Sequence, residues 1–136
     1  MRESDYPYTS GTTGQETACA FNRSVSITGV WSYGQSHGTH ANLKALARQP
    51  VNVAVAAGNS AFQSYSSGII TVSSGCPTNI DHAIAAVGYG IENGVQYYIV
   101  RNSWGSSWGE SGYVRIQTSA GAGVCGINSY VYYPTL

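Results

Sequence analysis

The chain has 136 residues, a formal net charge of zero and only 9% charged residues, against about 25% in an average domain. That is one domain's worth of polypeptide, long enough for a real core. Lys44 is the sole lysine and no basic run exists, which argues against a nucleic-acid partner. The longest apolar stretches, Val51 to Ala57 and Ala83 to Val87, are far short of a membrane-spanning helix. Met1 is followed at once by Arg2, Glu3, Ser4 and Asp5; a polar start without a secretory signal reads as a piece of something longer.

Residues 1–23 show no periodicity, and Tyr6-Pro7-Tyr8 followed by Thr, Ser and Gly reads as a surface loop. Asn22-Arg23-Ser24 is a glycosylation acceptor pattern. Val25 and Ile27, then Val30 and Trp31 after Gly29, predict a half-buried strand with a kink. Thr39 to Gln49 predicts a helix with Thr39 as N-cap, one face carrying Leu43, Leu46 and Ala47, and Pro50 as its end. His37 and His40 near its start make a poor metal-ligand set, with no nearby carboxylate or cysteine. Strands are predicted over Val51–Val55, Gly68–Val72, Gly112–Gln117 and Tyr130–Tyr133, with a helical turn at Ala61–Tyr65. Together these give class α+β, an antiparallel sheet curling toward a barrel, with one good helix.

Three cysteines leave one over. Cys76 and Cys125 lie in the turn-rich settings of disulfide ends and Cys19 remains; three free buried thiols in a cytosolic protein is the alternative. The most informative stretch runs from Asn79 to Tyr113. His82 opens an apolar strand, Asn93-Gly94 marks a hairpin, and Asn102 closes the antiparallel partner. His82 and Asn102 are therefore expected to be hydrogen-bond neighbours. An imidazole held by an amide carbonyl is half of a cysteine-nucleophile triad. Trp104, two residues beyond Asn102 on an extended chain, is placed to cover that bond and exclude water.

Three runs carry a resemblance to a known family: Asp81-His82-Ala83-Ile84-Ala85-Ala86-Val87-Gly88-Tyr89-Gly90; Tyr98-Ile99-Val100-Arg101-Asn102-Ser103-Trp104-Gly105; and Trp108-Gly109-Glu110-Ser111-Gly112-Tyr113. The chain resembles the papain-like cysteine proteases of the papain and cathepsin L type along essentially its whole length. The resemblance implies His82 as catalytic histidine, Asn102 as its orienter, and Trp104 as a shield with Trp108 packed behind it. It also implies a Cys76–Cys125 disulfide, and Cys19 as a cysteine whose family partner lies further upstream. The family's specificity pocket would involve Ala54, Ile80, Ala83 and, at its floor, Tyr130, with Asp81 at the cleft edge. A floor tyrosine suggests a shallow pocket that favours medium aliphatic side chains. No metal or cofactor is implied.

One departure stands out. The family's nucleophile precedes the histidine by about 130 residues, which places it some fifty positions before Met1, and no Cys-Gly-Ser-Cys-Trp segment is present. The resemblance implies a papain-like fold with the helical lobe largely missing. Residues 1–23 would be the tail end of that lobe, and residues 24–136 the β-barrel-like lobe carrying the histidine and asparagine. Trp31, Trp104, Trp108 and several tyrosines are candidates to face the missing part. The implied activity is that of a lysosomal, vacuolar or secreted endopeptidase, inactive as this chain alone. Implied partners are polypeptide substrates, the missing N-terminal lobe, and propeptide or inhibitor proteins. A non-catalytic binding module derived from such a lobe is the competing reading; a serine or glycine in place of the upstream nucleophile would mark it.

Overall fold

The computed structural model describes Arg2, residues 4–27 and residues 29–135; the side chain of His40 lies outside that description. Contacts divide the chain into two compact units, Met1–Ser32 with Thr135–Leu136, and Tyr33–Pro134.

The first unit is mostly irregular. It holds the short helix α1 (Ser10–Thr13) and a 3₁₀ turn at Arg23–Val25. The loop is tied by the Ala20 amide donating to the Tyr6 hydroxyl oxygen at 3.1 Å. The strand predicted across Val25–Trp31 does not form; Val25, Ile27, Val30 and Trp31 are all exposed. Alternation there suggested one covered face; the described residues from Val25 to Trp31 lie in no strand, although the Trp31 amide donates to the Thr135 carbonyl at 3.1 Å. The first strand starts one residue later.

Apart from the end residues Ser32 and Thr135, seven strands lie in the second unit: β1 (Ser32–Ser36), β2 (Val51–Val55), β3 (Ile69–Ile70), β4 (His82–Glu92), β5 (Val95–Arg101), β6 (Tyr113–Gln117) and β7 (Val131–Thr135). They lie in the order β1-β7-β2-β4-β5-β6-β3. The β2–β4, β2–β7, β4–β5 and β5–β6 pairs are antiparallel; β3 is short and runs parallel to β6. Period-two alternation puts Val51, Val53 and Val55, Ile84 and Ala86, Tyr98 and Val100, and Val114 and Ile116 on one buried face. The β4–β5 turn is a two-residue loop in which Asn93 (φ 50°) and Gly94 (φ 80°) both take left-handed conformations. Asn-Gly adopts these more readily than other pairs, and they match the twist of the strands.

Helix α2 (Thr39–Leu46) is shorter than predicted, and its N-cap is Gly38 rather than Thr39. Thr39 is the first helical residue, and its hydroxyl donates instead to the Ser119 carbonyl at 2.5 Å. Leu46 is buried as expected, but Ala47 is exposed and Asn42 takes the inward position. The Asn42 amide nitrogen donates to Asn128 Oδ1 at 3.1 Å, which also accepts from the Tyr98 hydroxyl at 3.2 Å. Burial pushes the Tyr98 phenol above its ordinary pKa. A third short helix, α3 (Ser60–Gln63), is capped by Asn59, whose side-chain oxygen accepts from the Phe62 amide. Cys76 and Cys125 are joined across 49 positions, bonding the loop before β4 to the turn before β7.

Candidate active site

A plain ladder from the Asn93-Gly94 turn would not bring His82 and Asn102 together. Counting back from Glu92 opposite Val95, it would set Asn102 opposite Ala85, whose side chain points away from the face His82 uses. The observed register shifts between Ala86 and Gly88. Val87 is the extra residue of a β-bulge, so Ala86 pairs with Val100 and Ala85 with Arg101. Continued one step, that register puts Asn102 across from Ile84, which shares the face of His82. A one-residue slip exchanges the two faces of a strand, and the bulge is the device that makes it here. Gly88, directly after the bulge, was the available sequence signal.

His82 Nε2 and Asn102 Oδ1 are 2.9 Å apart. The same Oδ1 accepts from the Ser103 amide at 2.8 Å. A backbone N–H can only donate, so it fixes which end of the Asn102 amide faces His82. Nε2 must then carry the ring proton, leaving Nδ1 as the lone-pair nitrogen. Asn102 is 7% exposed and its Nδ2 is buried without a hydrogen-bond partner. Leaving a buried donor unmade costs roughly 1–3 kcal/mol.

Aromatic rings surround the pair. The Trp104 ring centroid lies 5.1 Å from the His82 ring, and Trp108 lies 5.4 Å from Trp104. Phe62, fully buried, meets His82 and Trp104 edge-on and stacks on Trp108 at 5.2 Å. The Trp108 indole donates to the Gln63 carbonyl at 3.2 Å, so the Asn59-capped turn of α3 sets the position of both. Phe62-Gln63 with Tyr65 falls where the resembled family has a counterpart, but no role beside the histidine was expected of Phe62.

Asp81 holds the loop after β2 against the start of β4. Its carboxylate accepts from the Ala57 amide at 2.6 Å and the Gly58 amide at 2.9 Å. A Cβ at position 58 would sit 2.5 Å from Asp81 Oδ2, so any side chain there would oblige the carboxylate to move. Ala54 faces Ala83 across β2 and β4, and the Ala54 amide donates to the Tyr130 carbonyl at 3.2 Å. Ile80 is half-buried and packs over Gly126. Ala54, Ala83 and Tyr130 are thus neighbours, while the Tyr130 residue is 52% exposed and encloses nothing by itself. On the outer face of β4, a hollow of about 430 Å³ is lined by Asn52, Ala83, Ala85, Arg101, Asn102 and Ser103 among others.

Residues 1–135 match the family model described as papain family cysteine protease. The chain belongs to that family. Curated relatives include cysteine proteinase COT44 of Brassica napus, 49% identical over 135 residues, and germination-specific cysteine protease 1 of Arabidopsis thaliana, 50% identical over 136 residues. The matches take in 97% of this chain but 40% and 35% of those proteins; the chain spans well under half of their length. Among solved structures it is similar to the bromelain protease of Ananas comosus in complex with the E64 inhibitor (TM-score 0.84, 36% identity, 98% of this chain and 61% of that one). It is likewise similar to digestive procathepsin L 3 of Tenebrio molitor (TM-score 0.87, 38% identity, all of this chain and 44% of that one). The fold is accordingly papain-like, mostly β-sheet with few helices. For a papain-family chain the cysteine inventory is telling: Cys76 and Cys125 are consumed in the disulfide, and Cys19 is an exposed free thiol in the first unit.

Proposed function

We propose that these residues are the histidine- and asparagine-bearing half of a papain-like endopeptidase. In this reading Met1 to Arg23 are the end of its helical lobe and residues 24–136 its β-rich lobe. The observation that carries it is the His82–Asn102 bond under Trp104, with Nε2 occupied and Nδ1 left as acceptor. A thiol brought to Nδ1 would give up its proton there, forming the thiolate that attacks a peptide carbonyl. The imidazolium would return that proton to the departing amine, and the Asn102 carbonyl would hold the ring in one tautomer throughout. Trp104 excludes water from the bond, which strengthens it. Polypeptide substrates would lie along Ala54, Ile80, Asp81, Ala83 and Tyr130. Propeptides and inhibitor proteins would use the same surface, and the Cys76–Cys125 bond suits a vacuolar, lysosomal or secreted setting.

Cys76 and Cys125 are joined to each other and Cys19 lies in no Cys-Gly-Ser-Cys-Trp segment, so in this reading the 136-residue chain by itself should not cleave peptides. The test joins the amino-terminal part of the Brassica relative, where this reading expects the nucleophile, to this chain and assays a fluorogenic peptide. The joined protein should show thiol-dependent turnover, and H82A should reduce it by at least about a hundredfold. Thiol-dependent turnover by the 136 residues alone would sink the proposal.

A further inference from the structure

We infer that Asn22 is an acceptor for an N-linked oligosaccharide. Of the eight asparagines in the sequence, only Asn22 is followed two positions later by serine or threonine, with arginine and not proline between. The structure puts this tripeptide where a bulky polar group can be carried. Asn22, Arg23 and Ser24 are all exposed. The Asn22 backbone is extended (φ −114°, ψ 112°) ahead of the 3₁₀ turn at Arg23–Val25, and residues 14–21 before it form no helix or strand. The Ser24 hydroxyl reaches Asn22 Oδ1 at 2.7 Å and the Ser24 amide at 3.0 Å, so the serine is turned toward the acceptor amide and not into a core. By contrast Asn42, Asn102 and Asn128 are buried, and none carries the hydroxyl two positions on.

A second, independent feature agrees. The Cys76–Cys125 disulfide needs an oxidising compartment, and the eukaryotic secretory lumen is where such oligosaccharides are transferred. In the transfer, Asn22 Nδ2 forms a bond to the anomeric carbon of a lipid-linked pyrophosphate oligosaccharide. The carbon–oxygen bond to the pyrophosphate breaks, the pyrophosphate leaves with the electron pair, and the amide gives up one proton. The inference shares with the proposed function only passage through an oxidising compartment and uses none of the chemistry at His82.

The test translates the 136-residue chain behind a cleavable secretory leader into endoplasmic-reticulum microsomes. Imported chains are those protected from added protease, and glycans are read as a gel shift removed by peptide-N-glycosidase. Imported wild-type chain should carry one glycan, N22Q and S24A should carry none, and S24T should restore it. Because transfer precedes folding, a variant that folds poorly still reports. Imported wild-type and S24T chains that both lack the glycan overturn the inference, as does a shift that persists in N22Q. Neither outcome bears on the protease reading, which the turnover assay decides separately.

Discussion

At the scale of single residues, Asn102 sets one satisfied end of its amide against one that is not. Its Oδ1 satisfies two donors, while its buried Nδ2 satisfies nothing. Truncation to alanine removes two modest bonds, each worth about 0.5–1.5 kcal/mol net, and also removes an orphaned donor costing roughly 1–3 kcal/mol. The two effects oppose each other, so N102A should change unfolding free energy by no more than about 1 kcal/mol, measured by urea titration. The His82 ring should respond quite differently. Nitrogen NMR of the native chain at a pH where the ring is neutral should show the proton on Nε2, and N102A should give a mixture of tautomers. A large loss of stability with an unchanged tautomer would mean that Asn102 is a structural residue. Gly58 gives a second case at this scale. G58A drives a Cβ into the Asp81 carboxylate and should destabilise the native chain by about 1–3 kcal/mol, read as a lower urea midpoint.

At the scale of elements, two cross-connections reach beyond the sheet ladder. Reducing the Cys76–Cys125 bond frees a loop spanning 49 positions, which in the chain-entropy description costs about 4 kcal/mol. Replacing both cysteines by alanine should lower stability by that order, with the same loss on adding reductant to the native chain. The other connection is the Arg115 guanidinium, which pairs with Glu110 and Glu92 and lies over the Tyr97 ring. Glu110 also accepts from the Gly68 amide, linking the loop before β3 to β6. Hydrogen bonds from Arg115 hold the Glu110 carboxyl below its ordinary pKa of 4.5. A carboxyl depressed in the folded state adds stability above its unfolded value and forfeits it as pH falls through the folded value. Native stability should therefore decline below about pH 4.5, and E110Q should flatten that part of the profile while lowering stability near neutrality. Equal acid slopes in the two proteins would count against the assignment.

These elements also show what the sequence could disclose. That His82 and Asn102 lie near the open ends of one hairpin was legible from Asn-Gly; that their side chains share a face was not. The bulge at Val87 was not, since one added residue leaves the apolar run unbroken, although the pairing depends on it. Strand β2 was read to the residue from Val-x-Val-x-Val. Strand β1, with Ser-Tyr-Gly-Gln-Ser, carries little β preference and was missed in favour of the more apolar segment before it. Buried polar contacts such as Asn42 with Asn128 join residues 86 apart and have no local pattern from which to read them.

At the scale of the whole molecule, both units leave several aromatic and aliphatic side chains exposed. In the first unit Phe21, Ile27, Val30 and Trp31 are all more than half exposed, Trp31 at 82%. In the second unit Tyr33, Ile91, Trp104 and Tyr130 are exposed as well. Single exposed hydrophobes are ordinary, but groups of them mark surfaces that a partner covers. If that partner is the remaining part of a papain-family protease, the isolated chain should bind 1-anilinonaphthalene-8-sulfonate in its native state or self-associate at micromolar concentration. The protein joined to the amino-terminal part of the Brassica relative should do neither. Dye fluorescence and sedimentation velocity on both proteins, below the onset of unfolding, make the comparison. The two measurements complement each other, because association would hide the apolar surface from the dye while raising the sedimentation coefficient. An isolated chain that is monomeric and dark to the dye would mean that these side chains are ordinary surface, and the need for a covering partner would lose its physical basis.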